Sequence, residues 1–188
     1  GEHEGNTPKS VVSGPDGLPC GRNSSPLEIM SAHPATHRCT TLVLGSGVAG
    51  LTYAIRAAQH GPVLILTKKF RSDSSTNRAQ GGLAAVLDPT DSLDLHVADT
   101  LEAGAGLCRR NVVELVVREG PGLVRSLAQM GATFAHADGG GDSEDLDLGL
   151  EGGHSRRRIV HAKDRTGQEI ESTLLAAVAN NSEITLLE

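Results

Sequence analysis

The sequence predicts an α/β fold built on a parallel sheet and preceded by a disordered tail. Three observations carry this. Two short apolar runs, Thr41–Leu44 and Val63–Leu66, flank a segment in which Val48, Leu51, Ile55 and Ala58 recur at helical spacing. Glycines close the first run, and Gly61-Pro62 stops the helix before the second. Residues 1–38, by contrast, hold five Gly, five Pro and five Ser with no apolar period of 2 or 3.6. Such a segment cannot bury enough surface to offset its ordering entropy.

Taken in order, residues 1–39 are expected to be a tail without chemistry, and Glu2, Glu4, Asp16 and Glu28 argue against a transit peptide. Strand, helix and strand over residues 40–66 form a βαβ unit, whose right-handed crossover makes the strands parallel and buries both on two faces. The polar stretch 70–82 is too long for a simple connection and reads as a functional loop. Two helices follow: Leu95–Ala103, with Val97, Ala98 and Leu101 inward, and Val112–Met130, with Leu115, Val116, Leu123 and Leu127 inward. Gly120-Pro121-Gly122 is predicted to break or kink the second helix, and Gly131 to close it. Residues 138–151 carry Asp138, Asp142, Glu144, Asp145, Asp147 and Glu151 without a Lys or Arg, an exposed, mobile loop. Arg156, Arg157, Arg158, Lys163 and Arg165 then reverse the sign. A helix Gln168–Ala179 and a strand Ile184–Leu187 complete the chain, and there is no internal repeat.

The 188 residues suffice for one domain and a tail. With Tyr53, Phe70 and Phe134 as its only aromatics, the core must be Leu, Val, Ile and Ala. An excess of 23 acidic over 17 basic side chains excludes non-specific nucleic-acid binding. Cys20, Cys39 and Cys108 are odd in number, widely spaced and without a C-x-x-C pair, so neither a disulfide framework nor a zinc site is expected. His154 and His161 lack metal-ligand spacing, and no metal is predicted. No apolar stretch reaches the roughly 20 residues that span a bilayer. A soluble protein of a reducing compartment, the cytoplasm, is expected.

The strongest chemical signal is Gly45-Ser46-Gly47-Val48-Ala49-Gly50, a G-x-G-x-x-G between a buried strand and an amphipathic helix. Gly45 permits the tight turn, Gly47 lets a pyrophosphate approach the backbone, and Gly50 lets the helix pack on the strand. The helix N-terminus then offers N–H groups and a positive dipole to phosphate. The expected fold is therefore Rossmann-like. Where such folds place a ribose-binding acid, at the end of the second strand, this chain has Thr67 followed by Lys68 and Lys69. Thr67 can still bond a ribose hydroxyl and Lys68 can approach phosphate. Loss of the acid weakens the case for NAD and leaves FAD open.

Ser74-Ser75-Thr76-Asn77-Arg78-Ala79-Gln80-Gly81-Gly82 is the second constellation, and Glu151-Gly152-Gly153-His154-Ser155 the third. With the glycine motif they make residues 40–188 resemble the flavoprotein family of succinate dehydrogenase, fumarate reductase and L-aspartate oxidase, most closely its aspartate oxidase branch. The resemblance implies an FAD-binding domain, incomplete here, of which this chain is the N-terminal part. In respiratory members a His before the Thr links covalently to the flavin; Ser75 stands there and cannot, so non-covalent FAD is implied. Thr67-Lys68 matches the same branch. The resemblance places Ser46, Gly47, Val48, Ala49, Lys68 and Ser75 to Gly82 at FAD, beside Gly45, Gly50 and Thr67 of the motif reading. Hydroxyls of Ser75 and Thr76, the Gln80 amide and the N–H groups of two glycines suit a ring that gains negative charge on accepting hydride.

The resemblance further implies that Glu151 orients a substrate through its ammonium group. From the residues alone, Glu151 also reads as the exposed end of an acidic loop, His154 as either a dicarboxylate ligand or a structural hydrogen-bonder, and the three arginines as a solvated or interdomain charge cluster. The implied reaction is oxidation of L-aspartate to iminoaspartate with oxygen or fumarate as acceptor, in quinolinate and NAD synthesis, with coupling to quinolinate synthase. Catalytic residues are expected beyond Glu188, and these residues alone are expected to turn over little. The competing readings are a fumarate reductase or succinate dehydrogenase type flavoprotein and a non-catalytic flavin-binding module.

Overall fold

Val43, Val63 and Ile65 share one face of the two apolar runs, and burying that face aligns them as parallel strands β1 (Thr41–Leu44) and β2 (Val63–Leu66), with Thr41 opposite Val63 and Leu44 opposite Leu66. The computed structural model describes residues 36–137 and 145–188. All but residues 36–39 of the expected tail, and residues 138–144 of the acidic loop, lie outside the described residues. Helix α1 (Val48–Ala57) joins the two strands and is prolonged by a 3₁₀ turn, Ala58–His60. Gly61, at φ +134°, ends that turn, and an added Cβ there would stand 2.7 Å from Thr40 Oγ1.

β3 (Leu83–Ala84) follows the polar loop, then α2 (Leu93–Ala103) and α3 (Arg110–Gln129). The Ser92 hydroxyl accepts from Leu95 N–H and starts α2 two residues before the apolar pattern does. β4 (Leu148–Gly149), β5 (Ile159–Val160), α4 (Thr166–Ala179) and β6 (Ile184–Leu187) complete the order. β6 pairs with β2, giving a parallel sheet in the order β1-β2-β6. β3, β5 and β4 form a separate antiparallel sheet that the sequence reading did not anticipate.

The main core lies between the parallel sheet and the pair α1 and α4, where Leu51, Ile65 and Leu174 have no exposed surface. Each such side chain contributes about 1.5–3 kcal/mol through burial. A second cluster joins Val124 of α3 to Ala85, Phe134 and Val160, and a third joins Val97 of α2 to Val113 and Val117 of α3.

Three expectations are corrected. The parallel strands are covered on one face only: Leu42, Leu44 and Leu66 are exposed because both α1 and α4 lie on the opposite face. Of the break or kink expected at Gly120-Pro121-Gly122 the break is absent: α3 continues through Pro121, where a proline forfeits one backbone bond while Val117 before it and Val124 after it stay packed. Its inward face is also rotated from the expected one. Val113, Val117 and Val124 are buried, whereas Leu115, Val116 and Leu123 are exposed.

Candidate functional site

The site grows from the carboxyl end of β1. Gly45 takes φ +103°, which turns the chain from strand to helix, and its N–H donates to Leu66 O at 2.9 Å, tying the turn to β2. Gly50 is where α1 presses on that turn: a Cβ there would stand 2.2 Å from Gly45 O. No side chain fits. Ser46 is buried and its hydroxyl points inward, donating to Arg71 O at 2.9 Å and lying 3.4 Å from Thr67 Oγ1. The Ser46 side chain thus anchors the chain that follows β2.

Thr76 joins the two motifs. Its hydroxyl accepts from Val48 N–H at 3.0 Å, so the polar loop caps the glycine-motif helix from 28 residues away. The amides of Gly47 and Ala49 have no acceptor among the described residues. A cleft of about 670 Å³ opens over these groups, lined by Leu44 to Gly47, Leu66 to Lys69 and Asp73 to Thr76. Of the predicted cofactor residues it gathers Gly45, Ser46, Gly47, Thr67, Lys68, Ser75 and Thr76. Val48, Ala49 and Gly50 lie behind it in the helix, and Asn77 to Gly82 continue away from it.

The loop is held from below. Asn77 N–H donates to Ser74 Oγ at 3.1 Å, and the Ser74 hydroxyl donates to Glu171, a fully buried carboxyl on α4. Gly167 N–H donates to Ala79 O at 2.9 Å, and a Cβ on Gly167 would collide with Thr76 O. Gly82 packs on β5, where a Cβ would stand 2.3 Å from Ile159 Cγ2. Lys69 and Arg78 both pair with Asp73, and hydrogen bonding from Lys69 is the main influence lowering that carboxyl below its usual range.

The residues present fit a dinucleotide. Two unpaired amides at a helix N-terminus, with exposed Lys68 at the rim, suit a diphosphate, and glycines at 45 and 47 leave open backbone in the cleft where a side chain would obstruct it. Ser75, exposed at the cleft, supplies a hydroxyl and no imidazole.

The third constellation lies apart, against α2, and the structure corrects its reading. Arg158 is not solvated; it has no exposed surface. Its Nε and Nη2 donate to the two oxygens of Asp91 at 2.8 and 2.9 Å, and Nη1 donates to Asp99 Oδ2 at 2.7 Å. Ser155 N–H and Oγ–H donate to the same Asp99 oxygen at 2.9 and 2.7 Å. Burial alone would push the Asp99 carboxyl up; the Ser155 donors and the Arg158 guanidinium outweigh it and hold it at about 2. Arg156 and Arg157 are exposed. His154 sits with Nδ1 3.3 Å from Arg158 Nη1 and its ring edge-on to buried His96, centroids 5.6 Å apart. Burial and the neighbouring Arg158 and His154 push His96 down. Glu151 is exposed, and its carbonyl accepts from His154 N–H at the head of a turn that Gly153 makes at φ +83°. Sequence reasoning missed Arg158, Asp91, Asp99, Gly167 and Glu171. Apart from the Arg158–His154 contact, their partners lie 56 to 97 residues away, and no local pattern marks them.

Fold and cleft together define a dinucleotide-binding α/β domain. A model of the FAD binding domain matches residues 40–188. The chain belongs to that family, and its cofactor is FAD. Among curated relatives it is 52% identical over 146 residues to L-aspartate oxidase 2-b, chloroplastic, of Nicotiana tabacum, covering 78% of this chain and 22% of the relative. It is 46% identical over 170 residues to the chloroplastic L-aspartate oxidase of Arabidopsis thaliana, covering 90% and 26%. Among solved structures it superposes on an E. coli quinol fumarate reductase with a TM-score of 0.73 and 29% identity, over 80% of this chain and 26% of that one. The chain thus spans about a quarter of the length of the relatives it matches. Among the described residues no helix is long and apolar enough to cross a membrane, and no cluster of His, Cys, Asp and Glu could hold a metal.

Proposed function

We propose that the full-length protein is an FAD-dependent L-aspartate oxidase that forms iminoaspartate, with oxygen or fumarate as acceptor, in the route to quinolinate and NAD. The observation that carries this reading is the meeting of the Gly45–Gly47 turn and Ser75–Thr76 at one cleft, with Thr76 locked onto the Val48 amide. Bound FAD supplies the acceptor for a hydride leaving the substrate α-carbon. The chain's own residues do the rest of what is described here. Gly47 and Ala49 amides and Lys68 balance diphosphate charge, Thr67 faces the nucleotide end, and residues 75–82 surround the ring.

Ser75 in place of an imidazole supports a dissociable flavin. Glu151, an exposed carboxylate on a tethered turn, suits a substrate ammonium, which favours an amino dicarboxylate over succinate. The domain boundary is proposed at residue 40. Free Cys39 and Cys108 support a reducing compartment, the cytoplasm in the sequence reading and a plastid in the names of the plant relatives. Coupling to quinolinate synthase is the partner reading. The test is the full-length protein with L-aspartate under air. Flavin bleaching, peroxide release and flavin freed by acid precipitation are expected. Bleaching by succinate instead, or flavin that stays with the precipitate, refutes the reading.

A further inference from the structure

The buried cluster around Arg158 fixes more than a turn. A guanidinium has only donors and stays charged at any working pH, so its 3.3 Å contact with His154 Nδ1 has one polarity: Arg158 donates and Nδ1 accepts. Arg158 cannot rotate away, because Asp91 holds two of its nitrogens and Asp99 the third. The neutral ring whose Nδ1 accepts must carry its hydrogen on Nε2. His96, packed edge-on at 5.6 Å, restrains the ring plane, and Ser155 ties the next residue to Asp99. Nε2 itself has no partner among the described residues and is not buried, and His154 lines a cavity of about 340 Å³ beside α2 with Gly153 and Ser155. Of the carboxylates on the same rim Asp99 is already paired with Arg158 and Ser155, which leaves Glu102, with Glu151 of the same turn as His154, to meet an ammonium, so donor and acceptors together match a zwitterion.

We propose that Arg158 is a positioning residue for the substrate site: clamped by Asp91 and Asp99, it engages His154 Nδ1 and so presents Nε2–H as a fixed hydrogen-bond donor to a substrate carboxylate. This rests on the amino-dicarboxylate reading above and names a residue that the reading does not.

The amide side chains separate the two nitrogens. Asn places its acceptor where Nδ1 stands and keeps the Arg158 contact; Gln reaches the Nε2 position with a donor. In the full-length, FAD-loaded protein, His154→Asn, which loses the Nε2 donor, is expected to raise KM for L-aspartate roughly 10–100-fold with a smaller change in kcat, and His154→Gln, which keeps a donor there but loses the Arg158 contact that fixes it, to fall between Asn and wild type. Equal values for the two variants, or Gln worse than Asn, overturn the proposal and leave Arg158 a purely structural anchor. A second measurement does not use turnover. In ¹⁵N-histidine-labelled protein, with His154 assigned by loss of its signals in His154→Gln, the bare nitrogen is expected at Nδ1. A bare Nε2, or a tautomer mixture, overturns the proposal even where L-aspartate is oxidised. Failure of wild-type protein to oxidise L-aspartate, with the tautomer as stated, refutes the substrate reading instead.

Discussion

Replacing Gly167 by Ala separates packing of the polar loop from helix propensity. Gly167 occupies the first turn of α4, is buried, and would place a Cβ 1.9 Å from Thr76 O, 2.7 Å from Ala79 O and 2.9 Å from Ala79 Cβ. Two of these are backbone atoms, so no rotamer relieves the overlap. The loop must retreat by about 1 Å or more, dragging the Thr76 hydroxyl from Val48 N–H. Overpacking of this kind costs about 1–3 kcal/mol, against which alanine returns up to about 1 kcal/mol of helix propensity. If bound FAD requires the loop in place, the retreat appears as an FAD affinity lowered roughly 5- to 150-fold. Gly122→Ala is the internal control, since Gly122 lies in α3 with nothing within 4 Å of an added Cβ. That variant should gain about 0.5–1 kcal/mol and keep its cofactor. Flavin-fluorescence titration of the apo full-length protein, with thermal melts, reads both. Wild-type affinity in Gly167→Ala, or equal behaviour of the two variants, refutes the reasoning.

Thr76→Val removes the acceptor of Val48 N–H and should cost about 0.5–2 kcal/mol of stability, with Thr76→Ser near wild type; urea melts compare them. Arg158→Met strands Asp91, whose side chain is 1% exposed, and should destabilise by about 3–5 kcal/mol, a loss visible in the same melts. Asp99, held at about 2 against an ordinary 3.8, contributes stability that is present above pH 3.8 and lost as pH falls through 2. This contribution is on the order of 1–2 kcal/mol after allowance for solvent screening. The stability gap between wild type and Asp99→Asn should therefore close between pH 4 and pH 2, and a gap that widens on acidification contradicts the assignment.

What the sequence reveals follows from how local each constraint is. β1, β2 and β6 are bounded by Gly, Pro and Asn, and their edges coincide with the apolar runs. Gly45 and Gly50 are legible for the same reason, because the turn and the helix that crowd them lie within six residues. β3 and β5 are two residues each, too short for an alternation to show, and exist only because Leu83 finds Val160 77 residues later. α3 offers two apolar stripes, Val113-Val117-Val124 and Leu115-Val116-Leu123; only the position of α2 and β5 selects the first. Three consecutive arginines read as a solvated run because charge is costly to bury. Asp91 and Asp99 make Arg158 the exception, and neither is adjacent to it in sequence.

One stretch of about twenty residues links both candidate sites. Arg158 clamps the 151–155 turn onto α2, and the next two residues, Ile159 and Val160, are the strand against which Gly82 closes the polar loop. Six residues after that strand, α4 begins; its Gly167 N–H holds Ala79 O, and Glu171, one turn further along, takes the Ser74 hydroxyl. The loop that meets the cofactor and the turn that carries Glu151 and His154 are thus braced by consecutive parts of a single segment, whose main anchors, Arg158, Val160 and Glu171, are fully buried. A shift of β5 by a fraction of an ångström must therefore be felt at both ends, because Gly82 has no slack toward Ile159 and Gly167 has none toward Thr76. Coupling between the sites should accordingly run through packing of β5, and Ile159→Ala, which removes the Cγ2 methyl that Gly82 packs against, is the substitution that would loosen it, read as weaker FAD binding in the flavin titration together with a raised KM for L-aspartate.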